Sequence, residues 1–313
     1  MPAGAPPPPG LNPGCNGIGT GKRLNSNIGR EGHLIFHNSS VYDGMQLQLT
    51  KRMSHGVQVQ GSFTWSRSID ISSGAIAGDT FLNGISTAFD FINPKLTRGP
   101  SDFNSPRVFT LNYVWDIPTP RSFHGLEATA LGGWELGGVF TASDGQPFTA
   151  FLAGDPLGLN STDAFGYPDR LRGPGCGTLI NPGNVTNYIK LQCFALPGAA
   201  FVNGVPYLRL GTAGRNILPG PGLENFDFSL IKNTHVPRIS ESFNVQFRAE
   251  FFNIFNRSNF EPPLDNHTIM DASIPGFGIV PANPATAIIS GAGAIDKTAT
   301  TSRQIQFALK VIW

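Results

Sequence analysis

Seven stretches of this chain alternate apolar and polar residues at period two, the period of strands whose two faces meet different surroundings. Met45, Leu47 and Leu49 alternate with Gln46, Gln48 and Thr50. Beyond the turn Ser54-His55-Gly56, the residues Val57, Val59, Gly61, Phe63 and Trp65 alternate with Gln58, Gln60, Ser62, Thr64 and Ser66. A helix would scramble those two sets. The third stretch sets Phe109, Leu111, Tyr113, Trp115 and Ile117 against Thr110, Asn112 and Asp116, with Val114 the exception. The fourth sets Trp134, Leu136, Phe140 and Ala142 against Glu135, Thr141 and Ser143. The fifth has Phe226, Phe228 and Leu230 against Asn225, Asp227 and Ser229, and the sixth Val245, Phe247, Ala249 and Phe251 against Gln246, Arg248 and Glu250. The seventh closes the chain, with Ile305, Phe307, Leu309, Val311 and Trp313 against Gln304, Gln306 and Lys310. No comparable helical period appears.

The connections alternate in length. Residues 54–56, 118–131 and 233–242 form short ones, whereas 67–105, 144–222 and 257–301 form long ones. Loops of that size are uncommon in compact soluble domains, and nothing in a soluble sandwich places them all at one end. A barrel through an outer membrane has this asymmetry, with short periplasmic turns and long outside loops. Strand parity then runs the last strand from the outside to the periplasm and puts Trp313 at the periplasmic rim. It also puts Trp115 and Trp134 at that rim and Trp65 at the outer one. All four tryptophans fall on apolar faces near strand ends, where indole is favoured at the headgroup level.

Composition agrees. Charged residues are 14% of the chain, against roughly 25% in soluble domains, and 38 Gly with 26 Pro imply many turns. The polar faces carry Gln, Ser, Thr, Asn, Asp, Arg and Glu, which suit a wet lumen; the outer face of a sandwich would carry more Lys and Glu. A net charge of +1 supplies no field for nucleic acid. The expected fold is all-β, an antiparallel transmembrane β-barrel segment of about seven long strands with long extracellular loops. Bacterial barrels have an even number of strands, eight or more, so the barrel is expected to be incomplete. Residues 1–40 read as a Gly/Pro-rich loop or remnant and 41–313 as the C-terminal portion of the barrel.

Several ordered blocks then resemble one family. They are SSVYDGMQLQLTKRMSHGVQVQGSFTWSRSIDISSG (Ser39 to Gly74), GRNILPGPGLENFDFSLIKN (Gly214 to Asn233) running on into FNVQFRAEFFNIFNRSNF (Phe243 to Phe260), and the terminal aromatic strand. With SDFNSPRVFTLNYVWDIP and GGWELGGVFTASDGQPF, they look like the C-terminal third of TonB-dependent, Oar-like outer-membrane receptors of the acidobacterial type. The resemblance implies a barrel of about 22 strands with an upstream plug. It makes Phe307, Leu309, Val311 and Trp313 a terminal signal read by the barrel assembly machinery. It gives the TonB system as a partner only through an N-terminal part that this chain lacks, and an unspecified ligand captured by the loops, above all 144–222. The other reading of the same residues is a non-transport surface adhesion or carbohydrate-binding β-sheet protein.

Chemistry-bearing motifs are sparse, and no enzyme, cofactor or metal site is expected. His33 and His37 have the spacing of a helical metal pair without a glutamate between them. NGIGTGKR, Asn16 to Arg23, lacks the first glycine and the final hydroxyl of a phosphate loop. Gln246, Arg248 and Glu250 share one strand face, where they line a ligand path or simply cross-pair the lumen wall. Cys176 and Cys193, with 16 residues between them, are spaced either to close a loop disulfide or to stand as unlinked thiols, with Cys15 left over.

Overall fold

The computed structural model describes residues 39–73, 93–153, 166–197, 200–202, 205–207, 210–265, 267–271 and 288–313. Cys15, His33, His37 and the NGIGTGKR stretch lie outside them. Seven long strands carry the fold: β1 (Ser40–Ser54), β2 (Val57–Asp70), β3 (Arg107–Asp116), β4 (Trp134–Ser143), β5 (Leu223–His235), β6 (Asn244–Phe252) and β7 (Gln304–Ile312). They lie side by side in chain order, each antiparallel to the one before. The fold is therefore the all-β antiparallel sheet expected, open along β1 and β7 among the described residues.

Register turns the seven alternations into two continuous faces. One row across the sheet reads Val59, Tyr113, Gly138, Phe228, Phe251 and Ile305, each paired with the next. A neighbouring row on the opposite face reads Gln58, Val114, Gly137, Ser229, Glu250 and Gln306. A slip of one residue at any strand would break both rows, so the pattern and the ladder enforce one another. The β1–β2 hairpin closes on His55 (φ 52°) and Gly56 (φ 74°), two left-handed residues in succession, as the twist-matched two-residue turn requires. A Cβ on Gly56 would lie 2.6 Å from the Asp116 carbonyl oxygen, so close approach adds a second demand for glycine there.

Two features exceed the sequence reading. β1 has 15 residues although only Met45 to Thr50 alternates cleanly, because the ladder to β2 continues out to Ser40 opposite Asp70. In the short β3–β4 connection, residues Gly125–Leu131 form a helix, α1, too short to show a period.

The buried apolar core lies outside the sheet. It comprises Phe148, Phe151, Leu152, Tyr167, Tyr188, Ile189, Phe194, Leu218, Ile269 and Met270 among others, all from the long connections 144–222 and 257–301. Those connections are packed together. Phe151–Ala153 pairs in parallel with Thr268–Asp271, and Leu218–Pro219 pairs with Pro147–Phe148. A second seam joins the Tyr188 N–H to the Gly293 carbonyl (2.9 Å) and the Ile295 N–H to that of Val185 (2.7 Å). The long loops thus form a cap at the outer end of the sheet.

Candidate functional site: a two-faced wall and its cap

Among the described residues no second layer of protein lies over the apolar face of the wall. Leu49, Phe307 and Leu309 are 75%, 67% and 71% exposed, and Val41, Met45, Leu47, Phe247 and Ile305 are exposed as well. Contiguous apolar surface on this scale is foreign to a water-facing monomer. Among the described residues no helix is long and apolar enough to cross a membrane. Strands of 9 to 15 residues do reach across a bilayer when tilted.

The tryptophans mark the two edges of this face. Trp65 pairs with Arg107 toward the outer end, and Trp115 pairs with Val57 and Leu136 at the periplasmic end. Trp134, opposite Lys232, donates its indole N–H to the Ala130 carbonyl of α1 at 3.1 Å. Lys232 also stands on the apolar face, at that rim; its ammonium lies 5.8 Å from the Trp134 ring centroid and donates to the Gly132 carbonyl. This is snorkelling: the stem stays on apolar surface and the charge leaves it. Trp313, one residue past β7, is 87% exposed. Phe307, Leu309 and Val311 of the terminal strand line up with Ala249, Phe247 and Val245 of β6.

On the opposite face Gln246, Arg248 and Glu250 stand in line. The Gln246 and Asn244 side-chain amides both donate to Asn233 Oδ1, at 2.9 and 3.0 Å, while Arg248 Nη2 lies 3.6 Å from Glu250 Oε1. Asp227 Oδ1, farther out on the same face, accepts from the Asn253 N–H at 2.8 Å. This face is bonded to itself around Asn233 and Asp227, whereas Arg248 Nε and Asn244 Oδ1 are buried without a hydrogen-bond partner among the described residues.

The cap holds the densest polar cluster. Arg215, 2% exposed, donates from Nε to the Thr97 carbonyl (2.8 Å), from Nη1 to Asp102 Oδ1 and Ser73 Oγ (both 3.2 Å), and from Nη2 to the Asp70 carboxylate and carbonyl. Asn216, held at φ 56°, donates its amide to Asp102 Oδ1 (2.6 Å) and the Pro100 carbonyl (2.8 Å), and its N–H to Thr149 Oγ1 (2.9 Å). One fork of donors therefore ties the β2–β3 loop to the β4–β5 loop. Burial lowers the Arg215 pKa to about 10, which leaves it charged at neutral pH. A disulfide joins Cys176 to Cys193 within the same cap. Among the described residues no group of three His, Cys, Asp or Glu side chains could hold a metal.

The Arg215 cluster escaped the sequence reading, because its partners Asp70 and Asp102 lie 145 and 113 residues away. The one signal was two polar residues, Arg215 and Asn216, inside a Gly/Pro-rich connection.

A sheet apolar and uncovered on one face, polar on the other, and capped at one end is the wall of a transmembrane β-barrel. The family described as outer membrane beta barrel domain matches residues 5–306. No curated protein and no solved structure matches the chain. The chain belongs to the outer membrane β-barrel domain family, and its place is the outer membrane.

Proposed function

We propose that this chain is the C-terminal part of a TonB-dependent, Oar-like receptor barrel whose extracellular loops help capture a ligand for uptake. The observation that carries the reading is the cap. Three long connections that need only hang in the medium are instead locked together by the Arg215 fork and two backbone seams, and a disulfide staples the longest of them internally. Such order suits a preorganised binding surface.

Strand parity supports a larger barrel. β1 and β7 run in the same direction, from the cap toward the short turns, so joining their edges directly would make a parallel pair. An odd number of further strands restores antiparallel pairing throughout. In this reading the plug and the TonB contact belong to the remainder of the receptor, and the barrel assembly machinery reads the terminal aromatic strand. Gln246, Arg248 and Glu250 face the lumen, and no catalysis is assigned.

The test uses the complete polypeptide encoded by the reading frame. It should contain a plug and further strands, fractionate with the outer membrane, and crosslink to TonB in energised cells. A frame lacking plug and strands, or a barrel that never contacts TonB, would overturn the receptor reading in favour of a surface adhesion or carbohydrate-binding role.

A further inference from the structure

Three hollows at the outer edge of the apolar face merge into one belt. The first, of about 550 Å³, is lined by Trp65, Arg107 and Asp144. The second, about 350 Å³, shares Arg107 and Asp144 and adds Glu224 and Arg257. The third, about 390 Å³, shares Glu224 and Arg257 and ends at Phe255. The belt therefore runs across β2 to β5, from one exposed aromatic to another.

Its place on the apolar face follows from register. Arg107 is opposite Trp65, and Glu224 is opposite Ala142, which pairs with Phe109. Just below it, toward the middle of the wall, the rings of Phe109, Phe140 and Phe226 follow one another at 6.0 and 6.5 Å, and Phe255 stacks on Phe226 at 5.7 Å. Apolar rings thus give way to charge within one step, as they must where acyl chains give way to headgroups. The long loops mark this as the outer leaflet.

The charges form two ion pairs. Arg107 grips Asp144 with two bonds of 2.8 Å, and Arg257 Nη1 meets Glu224 Oε2 at 2.8 Å. In both pairs the cation is the more exposed partner: 67% against 29% for Arg107 and Asp144, and 57% against 46% for Arg257 and Glu224. Each carboxylate orients its guanidinium group, whose remaining N–H donors can serve a second acceptor, and planar guanidinium forks suit phosphate oxygens.

We propose that this belt docks a phosphorylated, multiply acylated glycolipid of the outer leaflet, with phosphates at Arg107 and Arg257 and acyl chains along the phenylalanine row. The site depends on the outer-membrane placement of the wall and is independent of what the cap captures.

The protein, purified from outer membranes in mild detergent, is offered purified lipid A or dioleoylphosphatidylcholine, and bound lipid is counted by native mass spectrometry. Lipid A should be retained about tenfold better than the zwitterionic lipid. The R107Q/R257Q variant should lose that preference, whereas D144N/E224Q, which frees the guanidinium groups, should keep or increase it. Heat-modifiable gel mobility reports assembly of each variant. If the double arginine variant fails to assemble, R257Q alone, outside the strands, should still lower retention about threefold. Equal retention of the two lipids, undiminished retention in the arginine variants, or equal loss in the arginine and carboxylate pairs would overturn the proposal.

Discussion

The wall and the cap bury apolar surface in opposite ways. In the wall, Phe63, Phe228 and Phe307 stand on one face of an ordered sheet that, among the described residues, no second layer of protein covers; the solvent for it is lipid. In the cap, Phe148, Phe194 and Leu152 are fully buried by other protein groups. The wall therefore needs the bilayer to make sense, while the cap is organised like a small soluble domain, stapled by a disulfide. Perturbations should separate the two regions.

The largest effect is expected at the cap's ionic lock. Arg215→Ala leaves Asp70 and Asp102 buried without their cation, and breaking such a pair costs about 3–5 kcal/mol. Arg215→Lys should not rescue it, because a single ammonium cannot reach the Thr97 carbonyl, Asp70 and Asp102 together. Hydrogen exchange should show residues 144–222 losing protection while β3 to β6 keep theirs. Equal loss in both regions would mean that cap and wall are one cooperative unit.

Next comes a test of the wall's faces. Phe228→Arg puts a charge on the lipid face, at a cost of up to about 4 kcal/mol near the bilayer centre, whereas Ser229→Arg on the opposite face should cost little. Urea titration of protein folded into lipid vesicles measures both, and similar losses would count against the lumen assignment. The cap should stay intact in each.

The wall was legible in sequence because lipid demands a simple pattern. Each strand from Val57 onward must alternate, and the loop lengths supply its direction. The outer half of β1 was less legible: Ser40 to Gly44 is paired by backbone, and its side chains show no clean alternation. The cap was illegible for a physical reason. Its core comes from pieces of two to four residues, such as Pro147–Phe148 and Thr268–Asp271, too short to show a period and joined to partners far along the chain. Spacing left Cys176 and Cys193 with two options, and the structure pairs them. The tryptophans were placed by parity alone. The outer row of Phe109, Phe140 and Phe226 was visible only as alternation, since the level of each ring needs the register.

The disulfide ranks third. A loop of this length is worth about 3 kcal/mol in the chain-entropy picture. A Cys176→Ser/Cys193→Ser variant should become sensitive to added protease within 144–222 while its heat-modifiable mobility, a property of the wall, is unchanged. Loss of that mobility would show that the cap is needed to hold the strands.

The smallest effect is pH-dependent and again confined to the cap. His267 packs edge-on against Phe151, with ring centroids 4.8 Å apart, at the seam where the two long loops pair, and its backbone carbonyl accepts the Phe151 N–H at 2.9 Å. Burial lowers its pKa to about 4, against the opposing pull of Asp265, whose carboxylate is itself engaged by Lys297. The sign follows from the neutral ring being the one that fits. Between an unfolded value of about 6.5 and the folded value, the opened state binds the extra proton, so stability of the seam is full above about pH 6.5 and falls as pH drops toward 4. With partial exposure the loss is on the order of 2 kcal/mol, or about a thirtyfold rise in the open population. An acid-active protease should cut loop 257–301 faster over that window. His267→Leu should flatten the dependence, while a Leu variant with the same acid sensitivity would place the titrating group elsewhere. The wall offers no counterpart, since the one histidine in its described strands is His235 at the periplasmic end of β5, on the far side of the membrane from the cap.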